Sequence, residues 1–256
     1  MKKAVLLKRA FLLFALLLCA LASQAQGRAV FESAEAALLL SATQEVKPTG
    51  TARAAVVLPP EKTRPVHIAR FDRAPVIDGK LDEEVWKGAT VFKDFYQINP
   101  GDNIAPSRPT IVMAGYDAKF LYFGFHCFDE PDKVRATIAR RDGVFGEDNV
   151  RMFLDTFNDQ RKAYVLGFNP LGVQQDGILT EGGGTDFSVD IVMESKGMLT
   201  SDGYTVEVAI PFKSLRYEAG KGKLWGAHFF RRIKRFNNEL DSWMPFSRSI
   251  VCHAAP

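Results

Sequence analysis

Carboxylates are the residues of this chain with the most obvious chemistry. Asp148 with Asp155, or Asp186 with Asp190, could serve as the acid and base that hydrolyse a glycosidic bond. Nothing in the sequence fixes the separation of either pair, and acidic residues are ordinary in turns, so surface and turn roles fit them better than catalysis. The oxygen-rich stretches Asp155 to Asp159 and Gln174 to Asp176 offer the carboxylate and carbonyl ligands that calcium takes. His67, His126, His228 and His253 are scattered without the paired spacing of a zinc site. Gly182-Gly183-Gly184 precedes Thr185-Asp186 and no basic residue, which makes it a flexible loop and not a phosphate cradle. No nucleophile elbow is present. No catalytic residue is assigned.

The elements that must position these residues are strands. Lys119 to Asp129 alternates Phe120, Tyr122, Gly124 and His126 with Leu121, Phe123, Phe125 and Cys127, so both faces are apolar, as in a central strand covered on two sides. Further strands are expected at Thr110 to Tyr116, Asn149 to Asp155, Lys162 to Asn169, Ser188 to Glu194, Tyr204 to Ile210 and Trp225 to Ile233. Between them lie Asx- and Gly-bearing turns such as Tyr116-Asp117-Ala118, Asn169-Pro170-Leu171-Gly172 and Ser201-Asp202-Gly203. Helix is confined to short turns at Asp82 to Gly88, capped by Asp82, and at Pro211 to Leu215. The fold class is therefore all-β, an antiparallel sandwich of short strands. Cys127 reads as a buried thiol, and its pairing with Cys252 is left open.

The domain plan follows from composition. Lys2, Lys3, Lys8 and Arg9 precede the apolar run from Ala10 to Ala22, followed by Ala25, the pattern of a secretory signal peptide over residues 1–25. That run is shorter than the roughly 20 residues a membrane-spanning helix needs, and no later run exceeds it, so no transmembrane helix is expected in the mature chain. Residues 26–64, rich in Ala, Thr, Pro and Glu, read as a mobile linker, and 65–256 as one sandwich. Losing the leader removes four basic residues and no acidic ones, turning the formal charge of +3 into about −1. That excludes a nucleic-acid footprint. The strongest basic cluster, Arg231, Arg232, Lys234 and Arg235, reads as a solvated strand or loop face.

Three stretches, in this order and spacing, resemble carbohydrate-binding modules of family 9: IDGKLDEEVW (Ile77 to Trp86), EDNVRMFLDTFND (Glu147 to Asp159) and GYTVEVAIPFKSLRY (Gly203 to Tyr217). In the first, Asp78 and Gly79 suit a tight turn and Trp86 is a large core anchor. The likeness spans about Pro65 to Arg248. The phrases FNDQRKAYVLGFNPLGVQQDG and RRIKRFNNELDSWMP are similar to a subgroup at the N-terminus of long bacterial outer-membrane proteins, ahead of a predicted β-barrel. The resemblance implies a non-catalytic domain that binds a saccharide or cell-surface glycan terminus, in the periplasm, at the outer membrane or outside the cell. It also implies structural calcium and an outer-membrane barrel as partner. The sugar slot lies between two aromatic walls with polar groups around it, which the resemblance places at Phe145, Asp148, Arg151 and Trp243. Phe145 stands where sugar-binding members carry Trp, Arg151 where an acidic residue is expected, and the second wall belongs beyond the stretch that holds Trp243. The alternative is an interaction domain that has lost sugar binding and docks on a barrel; glycoside hydrolase-associated activity is a third reading. The end at Pro256 is expected to be a truncation.

Overall fold

The computed structural model describes residues 58–138, 141, 143–220 and 222–246; the leader, most of the predicted linker and Cys252 lie outside these residues. In chain order the described strands are β1 (Ala69–Arg70), β2 (Thr90–Phe92), β3 (Tyr96–Asn99), β4 (Thr110–Tyr116), β5 (Phe120–Phe128), β6 (Asn149–Asp155), β7 (Lys162–Phe168), β8 (Gln174–Thr180), β9 (Gly184–Asp186), β10 (Glu194–Thr200), β11 (Gly203–Pro211), β12 (Gly226–Ile233) and β13 (Glu239–Ser242). They form two sheets. One runs β1-β4-β5-β11-β10, with β2 also on β4, and the other β3-β13-β12-β6-β7-β8-β9. All pairs are antiparallel except β1 with β4. Among the described residues no helix is long and apolar enough to cross a membrane.

Alternation decides which side chains meet between the sheets. Leu121, Phe123, Phe125 and Cys127 of β5, Val206 and Val208 of β11, Val150, Met152 and Leu154 of β6 and Phe229 of β12 share one core. The opposite face of β5 is covered as well, by the segment before β2. There Phe71, Trp86, Tyr122 and Ala209 form a second, smaller core. The four-residue helix α1 (Glu84–Lys87) brings in Trp86; its N-cap is Glu83, without a side-chain cap bond, and not the predicted Asp82. Glu207 ties this cover down, its carboxylate accepting from the Trp86 Nε1–H (2.9 Å) and the N–H groups of Asp78 (3.0 Å) and Gly79 (2.8 Å). The second predicted turn is a 3-10 helix, Phe212–Ser214, with Pro211 at its cap. Lys62, at the end of the predicted linker, donates to the carbonyls of Asp94 (2.6 Å) and Trp243 (2.7 Å).

Two further expectations need correcting. Ser188 to Glu194 is not a strand, and the chain enters a ladder only at β10. Nor is the basic cluster wholly solvated, because Arg231 points inward and is 1% exposed. Its guanidinium donates to the carbonyls of Pro109 (2.9 Å) and Phe128 (3.0 Å), to Thr110 Oγ1 (3.2 Å) and to Asp129 Oδ2 (3.0 Å).

Glu239 and Asp241 also point inward from β13, which places two fully buried carboxylates on one side of a four-residue strand. Glu239 accepts from Ser107 N–H (2.8 Å) and Oγ–H (2.6 Å). Burial above all, then the nearness of Glu239, pushes Asp241 up to about 8, with Arg231 opposing. The folded domain thus keeps a proton that the unfolded chain releases near pH 4. Stability from this group is present at low pH and lost as pH rises from about 4 to about 8. Asp241→Asn stays neutral throughout, so the variant should gain on the parent domain between pH 5 and pH 8, as urea unfolding at the two pH values will register. An unchanged difference would assign the proton elsewhere.

Candidate functional site

The outer face of the seven-stranded sheet carries the residues best placed to meet a ligand. On β6, Arg151 and Phe153 alternate with core-facing Val150, Met152 and Leu154; on β12, His228, Phe230 and Arg232 alternate with Phe229, Arg231 and Ile233. All five outward side chains are half-buried. The antiparallel register sets Phe230 opposite Arg151 and His228 opposite Phe153. Phe153 and Phe230 meet edge to face at 5.4 Å, and Phe246 lies 6.4 Å from Phe230, so an aromatic stripe crosses the two strands.

Phe145 enters from the 3-10 turn Val144–Gly146, which is anchored by fully buried Val144. Its N–H donates to Gln175 Oε1 (3.2 Å) and its ring meets Phe187 edge to face at 5.6 Å. The ring occupies the space left by Gly167 of β7, where an added Cβ would come within 2.5 Å of it. The Arg151 guanidinium lies 3.5 Å from the ring centroid, a cation–π contact that fixes the arginine while its Nε–H donates to Asn149 Oδ1 (3.0 Å). Burial, then the charge of Arg232, pulls Arg151 down to about 9. His228 is pushed down to about 4 by burial and is neutral at physiological pH. Its Nε2 lies 2.8 Å from Ser242 Oγ, and since that hydroxyl donates to the Met244 carbonyl (2.6 Å), Nε2 carries the proton.

Of the four residues expected to hold sugar, Phe145 and Arg151 are brought together and the other two are not. Asp148 is 2% exposed and its carboxylate accepts the N–H groups of Arg135 (2.8 Å) and Lys234 (2.7 Å), pinning a loop to the end of β12. Trp243 packs on the core side, 5.0 Å from Phe92 and 6.2 Å from Phe229. Phe153, Phe187 and Phe230 were not expected at the site, Gln175 entered only within the calcium stretch, and Arg232 only within the basic cluster expected to be solvated. For Phe153, Phe230 and Arg232 the signal was the alternation of β6 and β12, which carry large side chains on both faces.

The carboxylate pairs do not make an acid–base site. Asp148 precedes β6 and Asp155 ends it, which sets their Cα atoms roughly 23 Å apart at about 3.3 Å per residue, far beyond the roughly 5–9.5 Å between carboxyl groups that a glycosidase uses. Asp186 accepts from Ser188 N–H (2.9 Å) and Oγ–H (2.6 Å), while exposed Asp190 pairs with Arg141 (3.3 Å). The calcium loops fit poorly too. Asp155 accepts the N–H groups of Phe157 (3.2 Å) and Gln160 (2.8 Å), and buried Asp176 pairs with Arg141 (2.8 Å), so these oxygens face amides and a guanidinium. Among the described residues no three His, Cys, Asp or Glu side chains gather as metal ligands.

Comparison with known proteins places this geometry. No curated protein matches the sequence. Among solved structures, a family 9 carbohydrate-binding module from Caldicellulosiruptor kristjanssonii in complex with cellotriose shares 20% identity and a TM-score of 0.51, over 71% of this chain and 84% of that one. A glucose complex of such a module from the same organism gives 19%, 0.52, 73% and 87%. A Bacteroides uniformis protein gives 11% identity and a TM-score of 0.57, over 70% of this chain and 88% of that one. At these identities the likeness establishes the fold. The family pattern described as "Carbohydrate family 9 binding domain-like" matches residues 77–232, well over half of the chain, and the protein belongs to that family.

Proposed function

We propose that this is a non-catalytic saccharide-binding domain that uses the outer face of the seven-stranded sheet. The observation that carries the reading is the half-exposed stripe of Phe153 and Phe230 beside a guanidinium held in place by Phe145. A pyranose has a C–H face that packs on aromatic rings and hydroxyls that need polar partners once water leaves, and this face offers both. The family membership and the cellotriose and glucose complexes of its structural neighbours support the same ligand class. Export follows from the leader pattern of residues 1–25, and a place in the periplasm or at the outer membrane, next to a barrel, from the subgroup resemblance.

Calorimetric titration with a panel of neutral and acidic oligosaccharides, cellotriose and glucose among them, tests the reading. Phe145→Ala should weaken the best ligand roughly tenfold, in line with the loss of about 1–1.5 kcal/mol of aromatic contact and of Arg151 positioning. Silence across the panel from a folded domain would favour the competing reading, in which the same aromatic face docks on a protein partner.

A further inference from the structure

Most guanidiniums of the described residues that are wholly or partly shielded from water are paired. Arg231 and Arg235 both meet Asp129, Arg108 meets Asp129 and Glu130, and Arg141 meets Asp176 and Asp190. Among the described residues, Arg151 and Arg232 are the exceptions. The β6–β12 register sets Arg151 opposite Phe230 and Arg232 opposite Asn149, which makes the two arginines diagonal neighbours on the outer face, roughly 7–8 Å apart at Cα. Among the described residues neither has a carboxylate within ion-pair distance. Arg151 has the side-chain carbonyl of Asn149, and Arg232 has the main-chain carbonyl of Asn238 (3.3 Å), while its buried Nε–H has no partner among the described residues. Lys234 follows on the same side, held down by burial and by the charges of both arginines. Asp148, a carboxylate at that strand end, is spent on two main-chain N–H groups.

Two like charges, half-buried and side by side, repel each other and have lost part of their hydration. The fold tolerates this arrangement beside an aromatic stripe, where a ligand ring would lie. An anion seated between the guanidiniums would relieve the repulsion, and planar forks match a carboxylate in bidentate fashion.

We propose that the ligand is an acidic saccharide, a uronic acid unit whose ring lies along Phe153 and Phe230 and whose carboxylate is received by Arg151 and Arg232. This rests on the saccharide-binding reading and goes beyond it by naming the charge of the ligand. A neutral glucan would leave the two guanidiniums facing only hydroxyls, and a free anion would leave the aromatic stripe unused.

The test compares trigalacturonate with its methyl ester, which keeps the backbone and removes the charge, by calorimetric titration of the unmodified domain. The acid is expected to bind at least tenfold tighter than the ester, with an affinity that falls as salt is raised. Arg232→Gln should shrink the acid-to-ester ratio to within about threefold. Arg232→Lys, which keeps the charge but not the fork, should leave an intermediate ratio and serves where the glutamine variant does not fold. If acid and ester bind alike, or a neutral oligosaccharide such as cellotriose binds tighter than the acid, the charge assignment is overturned while saccharide binding stands. If none of these ligands binds the folded domain, both fail.

Discussion

Arg231→Ala is expected to cost the domain about 3–5 kcal/mol, the range for removing one member of a buried ion pair. The magnitude follows from what is left behind. Arg231 bridges the two sheets: it sits on β12, and its guanidinium reaches the carbonyls of Pro109 and Phe128 and the carboxylate of Asp129, which border strands of the other sheet. Truncation takes a donor from both carbonyls, although that of Pro109 keeps the Phe128 N–H, and deprives a carboxylate only 1% exposed of its innermost partner, leaving Asp129 to Arg235 and Arg108. Arg231→Lys should recover only part of the loss, because an ammonium cannot span four acceptors in one plane. Urea unfolding provides the measurement, and a cost below about 1 kcal/mol for the alanine variant would mean that the inter-sheet bridge is not formed in solution.

Phe229→Ala should be as damaging, at about 3–5 kcal/mol for emptying a fully buried aromatic site. Phe229 lies where the main core is most aromatic, 5.0 Å from Phe92, 5.8 Å from Phe123, 6.3 Å from Phe125 and 6.2 Å from Trp243. These neighbours come from β2, β5 and the segment after β13, so no single side chain can move to fill the gap. A melting temperature roughly 10 °C lower is expected for a domain of this size, and Phe229→Leu should cost far less. A shift of only one or two degrees for the alanine variant would contradict the packing described.

Most of the sandwich was legible because alternation reports which face is buried. β4, β5, β6, β7, β11 and β12 all lie within a residue or two of where period two places them. The failure at Ser188 to Glu194 is instructive. Ile191 and Met193 are buried and Val189 packs on the core, so the pattern reported the burial correctly. The Ile191 N–H, however, donates to the Asp176 carboxylate. Alternation detects a half-buried extended chain and does not say whether its amides meet another strand. β8 escaped notice for the opposite reason: Gln174-Gln175-Asp176-Gly177 is polar because its inward Asp176 is matched by Arg141 and Ile191, partners remote in sequence.

The same remoteness limited the site. Arg231 and Arg232 are adjacent and chemically identical, yet the first is neutralised by Asp129, about a hundred positions earlier, and the second faces outward without a counter-charge among the described residues. Nothing local distinguishes them except strand parity, and that parity becomes informative only once Phe229 is known to face the core. Phe145 and Arg151 were found through the resemblance to family 9 modules, and their stacking adds what the motif lacked: the arginine is positioned by the phenylalanine. Trp243 could not be placed from sequence because the turn from β13 returns it to the core edge, beside Phe92.

Assignment of ligand binding to the outer face of the seven-stranded sheet is tested most directly by amide and side-chain chemical-shift mapping of the labelled domain, titrated with trigalacturonate and with cellotriose. The expected perturbations centre on Phe145, Arg151, Phe153, Phe230 and Arg232, leaving Trp86 and Tyr122 on the far side of the molecule unmoved. Shifts that cluster instead around Trp86, or that appear nowhere at saturating ligand, would contradict it.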